Sequence, residues 1–158
     1  MIGNDPRVEV RKTHKLFVGG AFPRSESGRT YEVVNTNGEF LANVAKASRK
    51  DARDSVIAAR TGFNSWSKAT AYNRGQVLYR IAEVMEGRKD QFASDIQDAE
   101  GTSKKKATAQ TDQAIDRVVW YAGWADKYAQ VLGNTNPVSG PFFNFSIPEP
   151  TGVVAAVA

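Results

Sequence analysis

The sequence contains no cysteine and a single histidine, His14. The first absence removes disulfides, thiolate zinc sites and thiol nucleophiles together. The second leaves no imidazole to activate a serine or threonine, because His14 stands beside Lys15 in a polar opening stretch and reads as an exposed loop residue. No run approaches the roughly 18 apolar residues of a membrane span. Met1 to Lys15 lacks the apolar centre of a signal peptide. There is no G-x-G-x-x-G, no phosphate-binding loop and no G-x-S-x-G elbow. The cysteine-free composition fits a reducing, cytoplasmic compartment.

What is present belongs to an ordinary globular chain. With 41% hydrophobic and 24% charged residues in 158 positions, one sizeable core is affordable. Lys and Arg number 21 against 17 Asp and Glu, a net charge of +4. The pI near 9.4 invites a nucleic-acid reading. The basic residues are scattered among acids, however, and the densest run, Lys104-Lys105-Lys106, suits a solvated helix start. The expectation is therefore no nucleic-acid partner.

Taken in order, residues 1–14 read as a disordered tail and residues 15–47 as a small antiparallel β meander. Its strands are expected at Lys15–Val18, at Thr30–Val34 and from Phe40 to Ala45, where β-branched and aromatic residues gather. Gly19-Gly20 stops the first, and Asn35-Thr36-Asn37-Gly38 turns the chain between the other two. Residues 48–133 read as helices. Ser48-Arg49-Lys50-Asp51 resembles a capping box, and Ala52, Val56, Ala59, Phe63 and Trp66 then recur at helical spacing as a core face. Thr70 caps a second helix with Val77, Leu78, Ile81, Ala82 and Met85 on its buried side. A break is expected at Gly87, then a third helix bearing Phe92, Ile96 and Ala99, and a stop at Gly101. One long helix spans Lys105–Val131 with Ala114, Val118, Tyr121, Ala125, Tyr128 and Leu132 on its face, ended by Gly133 as a C-terminal glycine. A loop follows from Asn134 to Pro141.

In residues 142–150, Phe143, Phe145 and Ile147 fall on one side of a strand and Asn144 and Ser146 on the other. Each large side chain is worth roughly 2 kcal/mol if something covers it. Residues 151–158, opened by Gly152, form an uninterrupted Val/Ala run of the kind found in a parallel strand covered on both faces. Such a strand needs neighbours on both edges. The expectation is a chain that is incomplete as it stands. Reaction machinery is absent from the residues: Asp95, Asp98 and Glu100 could suggest a cation site, but solvated helix-surface charge is the stronger reading. Gly19, Gly20 and Gly152 read as turn residues, and Phe63 and Trp66 as core rather than as a cofactor box.

Several signatures occur in order along nearly the whole chain. They are Leu16-Phe17-Val18-Gly19-Gly20; Ser27-Gly28-Arg29-Thr30-Tyr31-Glu32-Val33-Val34-Asn35; Ala58-Ala59-Arg60 with Phe63 and Trp66; Arg74 followed by Leu78, Ile81 and Ala82; Tyr121-Ala122-Gly123-Trp124-Ala125-Asp126; and Glu149-Pro150-Thr151-Gly152-Val153-Val154. Together they resemble the N-terminal third of the NAD(P)-dependent aldehyde dehydrogenases. The resemblance implies an α/β, Rossmann-type fold whose helix-rich N-terminal part carries short strands of an oligomerisation sheet. It also implies an oxidoreductase that converts aldehydes to carboxylic acids with NAD or NADP, in a homo-oligomer. The family's cysteine nucleophile, glutamate base, oxyanion asparagine and cofactor site would all lie beyond residue 158. No catalytic, cofactor-binding or metal-binding position can thus be carried onto this chain. By the same analogy, residues 151–158 would be the first strand of the cofactor sheet and 142–150 an assembly strand. Two departures stand out. Ala99-Glu100-Gly101-Thr102 replaces the family's Asp-x-Gly-Lys stretch, which weakens any cation site there, and Thr36 follows Asn35 where proline is usual. The expectations are a chain inactive by itself or, alternatively, a non-enzymatic module that binds full-length subunits.

Overall fold

The computed structural model describes residues 10–157, so the expected tail lies mostly outside the described residues. Its last two positions do not continue as a tail: Thr13–His14 form strand β1. Strands β2 (Thr30–Val34) and β3 (Phe40–Ala45) follow, and the sheet order is β1-β3-β2. The meander expected here is a mixed sheet, since β2 and β3 are antiparallel but β1 runs parallel to β3. Lys15–Val18 is not one of its strands. Gly19 and Gly20 both take positive φ, 60° and 81°, the signature of a type I′ turn. They fold the segment back on itself, with Val18 and Ala21 exchanging both backbone hydrogen bonds at 3.0 and 3.1 Å.

The turn between β2 and β3 forms where Asn35 and Gly38 place it. The Asn35 side chain accepts from the N–H groups of Asn37 and Glu39, both at 2.9 Å, and Gly38 sits at φ 82°. A register shift between Val33 and Val34 absorbs the extra residue.

Five helices follow: α1 (Arg49–Trp66), α2 (Ala71–Gly87), α3 (Lys89–Glu100), α4 (Lys104–Trp124) and α5 (Tyr128–Leu132). Ser48, Thr70 and Ser103 cap the first, second and fourth, each hydroxyl accepting from a backbone N–H three residues on. The chain breaks after Gly87, as its low helix propensity predicts. Gly101 ends α3 in the left-handed region at φ 62°. A Cβ added to Gly101 would stand 2.3 Å from the Thr36 hydroxyl oxygen. The Gly101→Ala variant therefore meets both a conformational penalty and a clash. Its unfolding free energy is expected to fall by about 1–2 kcal/mol, read from the urea midpoint at unchanged slope.

The single long helix expected over Lys105–Val131 is two helices. Gly123 weakens the last turn of α4, Ala125 donates to the carbonyl three residues back at 3.3 Å, and the Lys127 ammonium folds onto the Gly123 carbonyl. Gly133 also differs from expectation. It is extended, at φ −78° and ψ 139°, so it is not a left-handed cap. Glycine is required there for space, because a Cβ would lie 2.5 Å from the Ala129 carbonyl oxygen and 3.3 Å from that of Ser146.

The helical core is a seam of small residues. Ala107, Thr111 and Ile115 on α4 and Ala125 just after it are buried, as are Ala82 on α2 and Ala93 on α3. Gly75 lets α2 approach α4 so closely that a Cβ would be 3.1 Å from the Ala122 carbonyl oxygen. The face expected on α4 shares only Val118 and Ala125 with the packed one. Ala114, Tyr121 and Leu132 are exposed on a second stripe, because close helix approach selects the small residues for the seam. Lys89 at the start of α3 pairs with Asp112 on α4, and this pairing raises the lysine's pKa.

After α5, Asn134–Asn136 (β4) and Asn144–Ser146 (β5) form an antiparallel pair. The expected loop thus begins with a strand, and the expected strand over 142–147 is only three residues long. Residues 147–157 form no strand. Val153, Val154 and Val157 are 43%, 80% and 99% exposed, since nothing among the described residues offers their backbone a neighbour.

Candidate functional site

The most organised polar cluster in the molecule surrounds Asp51. Its side chain receives the Ser48 N–H at 2.8 Å, completing the reciprocal capping box, in which the Asp51 N–H donates back to the Ser48 hydroxyl at 3.2 Å. The same carboxylate reaches across to the loop before β2. The Glu26 N–H donates to it at 3.1 Å. The Ser25 hydroxyl lies 2.8 Å from one of its oxygens and 2.7 Å from the Lys46 carbonyl, so one proton serves two acceptors. These donors, the Ser48 N–H foremost and then Ser25, favour the ionised form and hold the Asp51 carboxyl down at about 2. Sequence spacing places the capping box; only the fold brings in Ser25 and Glu26. Nothing here can act as a nucleophile. The cluster is a clasp between α1 and the sheet.

A second feature was not foreseen. All three tryptophans, Trp66, Trp120 and Trp124, line one groove of about 540 Å³ together with Leu78, Tyr121, Tyr128 and Leu132. The Trp120 ring meets Tyr121 edge-on at 4.9 Å and Trp124 at 5.4 Å. Arg74 is held at the groove by hydrogen bonds to the Ala69 carbonyl and, at 3.4 Å, to the Tyr128 hydroxyl. Of the α1 face expected to be buried, Ala52, Val56, Ala59 and Trp66 are exposed, Val56 and Trp66 at 44% and 43%, and Phe63 is half-buried. The α1 periodicity is real, but no element among the described residues closes over that face.

The remaining candidates stay apart. His14 is exposed on β1, and Asp95, Asp98 and Glu100 lie along α3 with no metal-holding cluster of His, Cys, Asp or Glu among the described residues. Phe143 and Phe145 do share a side of β5, with rings 5.4 Å apart, yet they are 76% and 57% exposed. No helix among the described residues is long and apolar enough to cross a membrane.

These uncovered faces sum to an unusual surface. The chain exposes 13,006 Å², whereas a folded monomer of 17.3 kDa is expected to expose about 7,800 Å². Helices open on one side and two small sheets without a covering layer define one part of an α/β architecture.

That architecture has a family. A model described as the aldehyde dehydrogenase family matches residues 22–158, and the chain belongs to it. Mitochondrial aldehyde dehydrogenase family 2 member B4 of Arabidopsis thaliana is 34% identical over 97% of this chain and 28% of its own. Human cytosolic 10-formyltetrahydrofolate dehydrogenase is 31% identical over 94% of this chain and 17% of its own. Among solved structures, an aldehyde dehydrogenase of Bacillus cereus superposes with a TM-score of 0.78 at 27% identity, over 85% of this chain and 28% of that one. A betaine aldehyde dehydrogenase point mutant of Staphylococcus aureus, in complex with NAD+, gives 0.75 at 25% identity over 81% of this chain and 26% of that one. The chain spans less than a third of the length of the curated relatives it matches.

Proposed function

We propose that residues 1–158 supply the N-terminal, scaffold-forming part of an NAD(P)-dependent aldehyde dehydrogenase and hold none of its chemistry. In this reading residues 48–133 pack against the cofactor sheet, residues 151–158 give that sheet its first strand, and residues 142–150 join an assembly sheet between subunits. The parent enzyme oxidises an aldehyde to a carboxylic acid in the cytoplasm as a homo-oligomer. The 158 residues contribute no catalytic, cofactor-binding or metal-binding side chain.

One observation carries the proposal: large apolar side chains stand exposed on helix faces whose sequence periodicity is that of a core. Val77 and Ile81 on α2 are 46% and 45% exposed, and Tyr121 on α4 is 60% exposed. Patches of this kind mark sites that another polypeptide surface covers. The test is complementation with a separately produced catalytic part of the Bacillus cereus relative. Covering of the Trp groove is expected to shift tryptophan emission to the blue and to restore aldehyde-dependent NADH formation. An unchanged emission spectrum at saturating partner would refute the scaffold assignment.

A second reading keeps the surfaces and drops the enzyme. The exposed strand β5, flanked by Phe142, Phe143 and Ile147 at 75%, 76% and 62% exposure, suits a module that adds to the sheet edge of full-length subunits. Mixing with a full-length relative and weighing the assemblies by light scattering separates the two, since only the module co-migrates with complete subunits.

A further inference from the structure

A cavity smaller and more enclosed than the Trp groove lies between β1, the loop after Pro23 and the start of β2. Its volume is about 220 Å³, room for about seven waters at their liquid density. Thr13, His14, Lys15, Arg24, Gly28 and Arg29 contribute to its wall.

The charge around it is one-sided. Lys15 follows β1, whereas Arg24 and Arg29 stand five residues apart in the loop before β2, so the fold and not a basic run brings the three to one recess. None of the three has a carboxylate partner among the described residues. The acids nearby are already engaged. Glu32 pairs with Arg11 at 3.6 Å, and Glu26 accepts from the Ser48 hydroxyl at 3.1 Å. Asp51 touches the cavity wall through Ser25, and its oxygens accept from Ser25, Glu26 and Ser48. Gly28, at φ 65°, has no atom within 4 Å of where a Cβ would stand, which keeps the rim open on that side. Three cations that form no ion pair, against the single negative charge of Asp51, leave the recess net positive, and such a recess attracts a compact, multiply charged anion.

We propose that this recess is an oxyanion-binding site of the phosphate class, taking inorganic phosphate or the phosphoryl group of a small monoester. Arg24 and Arg29 act as its main ligands and Lys15 as a point charge at the mouth. A fork-shaped guanidinium matches two phosphate oxygens at once, which chloride cannot exploit. The proposal is independent of the scaffold reading, since it concerns the sheet and not the apolar faces.

The test is equilibrium dialysis of radiolabelled inorganic phosphate against the full-length protein in 0.15 M chloride, repeated with glycerol 3-phosphate as competitor. Saturable uptake of one phosphate per chain is expected. Arg24→Gln and Arg29→Gln are each expected to weaken it at least tenfold, while the distant Lys105→Gln leaves it unchanged. Displacement by glycerol 3-phosphate below the phosphate midpoint assigns the monoester as the better ligand; displacement only above it assigns the free anion. Circular dichroism of each variant confirms that the fold is kept. Absence of saturable uptake, or uptake that both arginine variants retain in full, overturns the site.

Discussion

Purified residues 1–158, supplied with an aldehyde and NAD or NADP, are expected to give no rise in absorbance at the reduced-cofactor band. The proposed parent chemistry requires a thiolate to add to the aldehyde carbon and a hydride to leave that carbon for the cofactor. Sulfur nucleophiles are missing altogether, since none of the 158 residues is cysteine. A serine or threonine substitute would need a base at hydrogen-bond distance. His14, the only imidazole, is exposed on β1 and hydrogen-bonds no serine or threonine among the described residues. The rate should equal that of buffer at any protein concentration, with helical circular dichroism recorded on the same sample. Aldehyde-dependent turnover above the buffer control, abolished by heating the protein, would overturn both the prediction and the scaffold assignment.

The second large effect is on stability. Replacing Asp51 with alanine removes the acceptor for the Ser48 and Glu26 N–H groups and for the Ser25 hydroxyl in one step. Two of these donors are then left in a part-buried position without a partner, the costly way to lose a hydrogen bond. A fall in melting temperature of roughly 5–10 °C is expected, together with faster amide exchange at Ser48 and Glu26. A control variant, Asp98→Ala on the exposed side of α3, should move the midpoint far less. Equal shifts for the two would show that the clasp does not hold α1 to the sheet.

The clasp also gives a pH dependence whose direction is fixed. Asp51 titrates at about 2 in the folded chain against an ordinary value of 3.8. The folded state therefore binds its proton less readily than the unfolded state does. The resulting stabilisation is complete above about pH 4 and is lost as the pH falls from there towards 2. Asp54, lowered chiefly by its hydrogen bond from Lys50, acts in the same direction. In the alanine variant the acid limb of the stability profile should flatten, leaving the part due to Asp54.

Local signals in the sequence proved faithful wherever the determinants were local. Ser48 and Asp51, Thr70, the break at Gly87 and the left-handed stop at Gly101 depend on residues within a turn of one another, and all form. The failures have a common origin in partners that spacing cannot reveal. Lys15–Val18 has strand composition, yet two glycines with positive φ fold it back before it can pair in the sheet. Residues 151–157 have the composition of a buried strand and remain unpaired because strand formation is a property of neighbours. The helix faces were legible as faces, but which stripe packs was decided by side-chain size: Ala107, Thr111 and Ile115 won over Tyr121 and Leu132. Of the candidate surfaces, the capping half of the Asp51 clasp could be read from spacing alone. Convergence of Trp66 with Trp120 and Trp124, or of Lys15 with Arg24 and Arg29, crosses dozens of residues or several turns and leaves no periodic trace.

Helix α4 carries its packed residues, Ala107, Thr111 and Ile115, and its groove residues, Trp120, Tyr121 and Trp124, on one rod. Displacing the rod by even a fraction of an ångström on its packed side must move Trp120 and Trp124 by a comparable amount on the other. Whatever occupies the groove is thereby mechanically geared to the glycine-and-alanine contact with α2. A bulky substitution at Gly75 would accordingly be felt by a binding partner that never touches it.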